Sequence, residues 1–137
     1  MGGRVRPQLI TEALANRAML GEMVRVEVTG ENPTRDQPEG NDGVQIQGVH
    51  ELDAYVFHQG QRYGMILFNY GLHTVRAVSV EGPGLNSSTS LKLWRLINSG
   101  PGSTNEVATQ VTVREENITG SNLSLPACSM VVLEWQE

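Results

Sequence analysis

A chain of 137 residues, 39% hydrophobic and 18% charged, has the length and composition of one soluble globular domain with a real core. Its net charge of −5, with ten basic residues scattered rather than run together, argues against a nucleic-acid partner, which needs clustered Lys and Arg. No stretch nears the roughly 20 apolar residues of a membrane-spanning helix, so no membrane partner is expected.

The start, Met1-Gly-Gly-Arg-Val-Arg6, lacks the apolar centre of a signal peptide. Arg6 also stands where a myristoylation signal needs a small hydroxyl residue. The chain therefore reads as intracellular or as an excised segment, and its localisation stays open. Residues 8–20 predict a helix: Pro7 suits a first turn, Ala and Leu supply propensity, and Gly21 suits the stop. Leu9, Ala13, Asn16 and Leu20 share one face, with Ile10, Leu14 and Arg17 beside it, so the packed stripe is broad. Met23 to Thr29 alternates as a half-exposed strand. Residues 30–43, polar and holding two prolines, predict a long loop that is functional or loosely ordered.

From Val49 onward the pattern is β throughout. Leu52, Ala54 and Val56 oppose Tyr55 and Phe57, and His58-Gln-Gly-Gln61 predicts a hairpin turn. Tyr63 to Tyr70 is apolar on both faces, the mark of a central strand covered on both sides. Val75–Val80, Leu91–Ile97, Val107–Arg114, Leu123–Leu125 and Ser129–Trp135 follow, with Gly/Pro/Ser loops between them. Pro126 punctuates the last two, because it fixes φ and lacks a backbone donor. The expectation is an all-β, antiparallel β-sandwich of about eight strands with one N-terminal helix. Residues 1–21 form a helical segment and residues 22–137 the sandwich.

Few residues suggest chemistry. Cys128 is the one cysteine, which excludes an internal disulfide or a CxxC site, and its place inside an apolar strand predicts a buried, inert thiol. His50, His58 and His73 have no metal-ligand spacing. Asp36, Glu39, Asn41 and Asp42 are rich in oxygen, but they lack the ligand order of an EF-hand and read as a plain acidic loop. Ser87, Ser88 and Ser90 have no base partner, and no nucleotide-binding fingerprint is present. No cofactor and no metal are expected. Three sequons, at Asn86, Asn117 and Asn122, would place glycans on surface loops in a secreted eukaryotic parent.

The ending, Leu123-Ser-Leu-Pro-Ala-Cys-Ser-Met-Val-Val-Leu-Glu-Trp135, closely resembles that of clan A glycoside hydrolases, especially α-L-arabinofuranosidases of family fifty-one. Leu52-Asp-Ala-Tyr-Val-Phe57 followed by Tyr63-Gly-Met-Ile-Leu-Phe-Asn69 resembles a hairpin of the same C-terminal domain. Leu93-Trp-Arg-Leu96 and Asn105-Glu-Val107 parallel a later segment of it. The likeness runs over most of residues 49–135; Ala127 and Cys128 depart from the family's usual residues there. It implies a non-catalytic accessory domain that packs beside a (β/α)₈ barrel missing from these 137 residues, with the N-terminal helix as the tail of that barrel.

In that family an Asn-Glu dipeptide carries the general acid/base on a barrel strand. Here Asn105-Glu106 follows Gly-Pro-Gly-Ser-Thr104, in a loop, without the second carboxylate of a retaining site. Catalytic residues are therefore not expected. Trp94, Trp135, Tyr55 and Tyr70 are the candidate aromatics, either for packing at an inter-domain interface or for stacking against sugar rings. The second use defines the rival reading, an independent carbohydrate-binding module with a polysaccharide partner. A domain parted from its barrel would expose an apolar face, through which two copies would pair.

Overall fold

The fold is that of a computed structural model, which describes residues 7–37, 46–71, 73–97 and 112–137. Among these residues one helix, α1 (Pro7–Ala18), precedes ten strands. They are β1 (Glu22–Val24), β2 (Thr34–Gln37), β3 (Ile46–His50), β4 (Leu52–Gln59), β5 (Arg62–Asn69), β6 (Arg76–Ser79), β7 (Ser90–Ile97), β8 (Thr112–Thr119), β9 (Asn122–Leu125) and β10 (Ser129–Gln136). Six strands make the main sheet, in the order β1-β4-β5-β10-β7-β8, every pair antiparallel. β6 pairs with β9 and β2 with β3 in two smaller sheets.

The closing strand lies at the centre. Val132 stands opposite Ile66 of β5 on one side and Trp94 of β7 on the other. Strands buried on both faces need apolar residues at every position, and Met130 to Leu133 supply an unbroken run, all buried. β5 repeats the pattern from Met65 to Leu67, as its sequence predicts.

Alternation then sorts two cores onto the two faces. On one, Met65, Leu67, Leu93, Val131 and Leu133 meet Val80, Leu123 and Leu125 around the β6–β9 ribbon. This makes the sandwich. On the other, Phe57, Ile66, Trp94, Met130 and Val132 lie beneath Leu14 and Ala18 of α1. The helix therefore buries the stripe of Leu14 and Ala18, one turn apart, whereas Ala13 and Asn16 are exposed. Gly64 permits this seat, because the absence of a Cβ there lets the backbone of Ala18 approach β5. The Arg17 guanidinium lies over the Trp94 ring, 5.0 Å from its centroid.

Several boundaries differ from the sequence expectation. Of the alternating 23–29 stretch only Met23 and Val24 are paired, as the end of β1; the chain then leaves β4, and the Asn32 side chain bonds both backbone groups of Leu52. The expected loop of residues 30–43 contains β2, whose partner is β3. Its sequence, Thr-Arg-Asp-Gln, has no strand pattern, so a distant partner decided it. β8 runs to Thr119 and β9 begins at Asn122, which places the Asn117 and Asn122 sequons in strands rather than loops. Cys128 lies in the turn before β10, half-buried with φ of +51°, not inside a strand.

Candidate functional site

Both tryptophans are core residues. Trp94 and Trp135 are each 4% exposed, so neither offers a ring face to a sugar. Trp94 is covered by α1, and the Trp135 indole N–H donates to the Pro83 carbonyl at 2.9 Å. The tyrosines are different. Tyr55 is 39% exposed and Tyr70 half-buried.

The β4–β5 hairpin brings these tyrosines together around a residue outside the sequence candidates, Phe68. Gln59 pairs with Arg62 across a tight turn at Gly60 and Gln61, with Gly60 at φ +60° where a side chain would be strained. That turn sets the register, so Asp53 faces Phe68 and Tyr55 faces Ile66. Tyr55 is then the diagonal neighbour of Phe68, within reach of an aromatic side chain. Their rings meet edge to face, centroids 6.2 Å apart. Tyr70, two residues on and on the same side, stacks on Phe68 at 5.3 Å and 7°. The turn fixes this register, so the sequence signal for Phe68 was in the hairpin itself.

A carboxylate orders the cluster. Tyr55 Oη donates to Asp53 Oδ2 at 2.7 Å, while Asp53 Oδ1 accepts from Ala54 N–H at 3.0 Å. The hydrogen bond to Asp53, and then its negative charge, push the Tyr55 phenol above its ordinary pKa. Desolvation does the same for Tyr70, with Asp53 a lesser cause. A raised pKa means that the folded state prefers the protonated phenol. The resulting stability is fully present below the unfolded pKa near 10 and is lost as pH rises through the folded value. In an alkaline titration followed by near-ultraviolet absorbance, the folded chain should ionise part of its tyrosine later than the urea-unfolded chain. Tyr55→Phe should shrink that lag, and coincident curves would contradict the geometry.

The opposite face carries a cleft of about 940 Å³. Its floor is the inward side of β4 and β5, including Ala54, Val56, Met65 and Leu67. Residues 24–31 wall one side and 75–83 the other. One end is closed by a ladder of rings. His58 stacks on Tyr63 at 5.7 Å, and Tyr63 on Trp135 at 5.3 Å. At the other end the Arg76 guanidinium pairs with the half-buried Glu51 carboxylate.

Asn69 organises the neighbouring corner. Fully buried, it shares its two Nδ2–H donors among the carbonyls of Thr74 (2.8 Å), Leu125 (3.1 Å) and Pro126 (3.0 Å), and its Oδ1 accepts from Gly71 N–H at 3.0 Å. Gly71 O in turn accepts from Cys128 N–H, holding the left-handed turn.

The remaining candidates are spread out. His50 Nδ1 lies 3.2 Å from the Asn32 carbonyl, His58 is 3.9 Å from Glu22, and His73 is exposed in a turn. Among the described residues no three His, Cys, Asp or Glu side chains gather as metal ligands. Asn105-Glu106 and the acidic positions Glu39, Asn41 and Asp42 lie outside the described residues. Asn86, Asn117 and Asn122 are all exposed.

No protein-family model matches the chain. No curated protein matches it either. Solved structures do. A thermostable GH51 α-L-arabinofuranosidase from Thermotoga petrophila superposes with a TM-score of 0.81 and 18% identity, over 96% of this chain and 29% of that one. An α-L-arabinofuranosidase from Thermotoga maritima, solved with arabinose, gives 0.82 and 18%, over 97% and 29%. A GH51 arabinofuranosidase from Xanthomonas axonopodis pv. citri gives 0.53 and 21%, over 74% and 21%. The likeness shows a shared fold, and this chain spans less than a third of the length of those structures.

Proposed function

We propose that these 137 residues are the non-catalytic accessory β-domain of a glycoside hydrolase, seated beside a catalytic (β/α)₈ barrel that the rest of a larger polypeptide supplies. One observation carries the reading: nearly the whole chain matches, yet it accounts for only 29% of each Thermotoga enzyme. A twelve-residue helix cannot fit in the unmatched 3–4%, so most of α1 belongs to the matched part.

The helix-side face suits the barrel's seat. α1 covers only part of it, and Tyr55 and Val113 remain 39% and 41% exposed. Phe68 and Tyr70 stack on each other instead of lying side by side as a flat platform. That arrangement fits packing against protein better than stacking on sugar rings, and weighs against the carbohydrate-binding module. In isolation the same face would join two copies.

The isolated chain should release no product from an aryl α-L-arabinofuranoside above the buffer rate, and should show no retardation in arabinan-containing gels. Turnover would overturn the non-catalytic reading; retardation that Tyr55→Ala abolishes would favour the module.

A further inference from the structure

The helix-side face carries a carboxylate without a cation. Glu51, Glu116 and Glu134 pair with Arg76, Arg114 and Arg62 respectively. Asp53 is half-buried like Glu51, yet among the described residues no Lys, Arg or His side chain lies within ion-pairing distance of it. Neutral donors hold it instead. Tyr55 Oη donates to Oδ2 and Ala54 N–H to Oδ1, which fixes the carboxylate plane while each oxygen keeps a lone pair for another donor. Its charge also reaches Tyr70, which stacks on Phe68. Ring faces are themselves negative, so a fixed carboxylate among aromatic rings is complementary to a cation. A guanidinium suits it better than an ammonium, because it is planar, weakly hydrated and able to donate through a fork while lying against a ring. Fixing the carboxylate beforehand lowers the entropic cost of that contact.

From this geometry we propose that Asp53, Tyr55 and Tyr70 receive an arginine side chain of the barrel, whose guanidinium donates to the Asp53 carboxylate and lies against the tyrosine rings. The contact anchors the domain at the part of its helix-side face where Tyr55 stays exposed. The inference rests on the accessory-domain reading, because only a larger polypeptide supplies that arginine.

The test is a double-mutant cycle on the polypeptide encoded by the whole reading frame that contains this chain, read as its unfolding rate in urea. Asp53→Asn, or replacement of one barrel arginine by Gln, should each speed unfolding about tenfold, and both together should again give about tenfold rather than about a hundredfold. Asp53→Asn keeps an acceptor and loses the charge, so the isolated chain should unfold less than about twofold faster. A carboxylate that only braces Tyr55 would change both polypeptides by the same factor, and that result overturns the proposal. Arg4, Arg6 and Arg35, whose side chains lie outside the described residues, enter the same cycle. Coupling of Asp53 to one of them, or to a lysine, overturns it too. Retardation of the isolated chain in an arabinan gel that Asp53→Asn abolishes would give the carboxylate to a sugar and overturn the arginine. A frame that encodes a barrel, but no arginine coupled to Asp53, overturns this contact alone. A frame with no barrel overturns the accessory-domain reading, and with it the arginine's source.

Discussion

Asn69→Ala is expected to cost about 3–5 kcal/mol, a large part of the total stability of a domain this size. The Asn69 side chain is 1% exposed and joins three segments that are far apart in sequence: the turn at 71–74, the end of β9, and the Pro126 turn into β10. Truncation leaves three carbonyls and the Gly71 N–H to find new partners in a site closed to solvent. Each orphaned group costs about 1–3 kcal/mol, and some recovery by water sets the lower end of the range. Urea unfolding should show a lower midpoint with an unchanged slope. A loss below about 1 kcal/mol would mean that water replaces the amide without penalty. Asn69→Asp separates hydrogen bonding from size. A carboxylate cannot donate to three carbonyls, so this variant should be weakest at neutral pH. It should recover part of its stability only as acid protonates the new group.

Gly64→Ala should be the second severe change, and it probes the helix directly. A Cβ at Gly64 would lie 2.6 Å from Ala18 Cα and closer still to the Ala18 carbonyl oxygen. These are backbone atoms of α1, so no side-chain rotation relieves the clash. The helix has to lift away from β5, at a cost of about 3 kcal/mol from overpacking and lost burial. Lifting uncovers Trp94, which α1 buries and Arg17 caps. The variant should therefore show red-shifted tryptophan emission and faster proteolysis within residues 7–18, while the main sheet persists. If stability and emission are unchanged, α1 is not docked on Gly64 as described. The outcome bears on whether residues 1–21 belong to the domain or only lead into it.

The hairpin of β4 and β5 was legible in the sequence because its causes are local. Period-two alternation fixed each strand's faces, and Gly60 fixed the turn and with it the register. The apolar run of β10 likewise announced a strand covered on both sides. Gly64 carried a readable signal too, since glycine inside an apolar strand marks the close approach of another backbone. Less could be read from residues 30–43. β2 exists because β3 offers it an edge, and Thr-Arg-Asp-Gln has no pattern that reveals the partner. The candidate aromatics divided for the same reason: an indole in an alternating strand faces either a core or water, depending on which layer covers it.

By itself, the sequence determined an antiparallel sandwich headed by a helix, because alternation, turn residues and helix propensity act within a few residues of one another. It also carried, in its closing strand, the likeness to the arabinofuranosidase domain whose fold the chain shares. Tertiary structure alone decided that β10 lies between β5 and β7, that α1 buries Trp94 and the β6–β9 ribbon shields the opposite face, and that Tyr55 and Tyr70 meet through Phe68. Those outcomes depend on contacts between segments dozens of residues apart, and a local pattern can say that a face must be covered without saying by what.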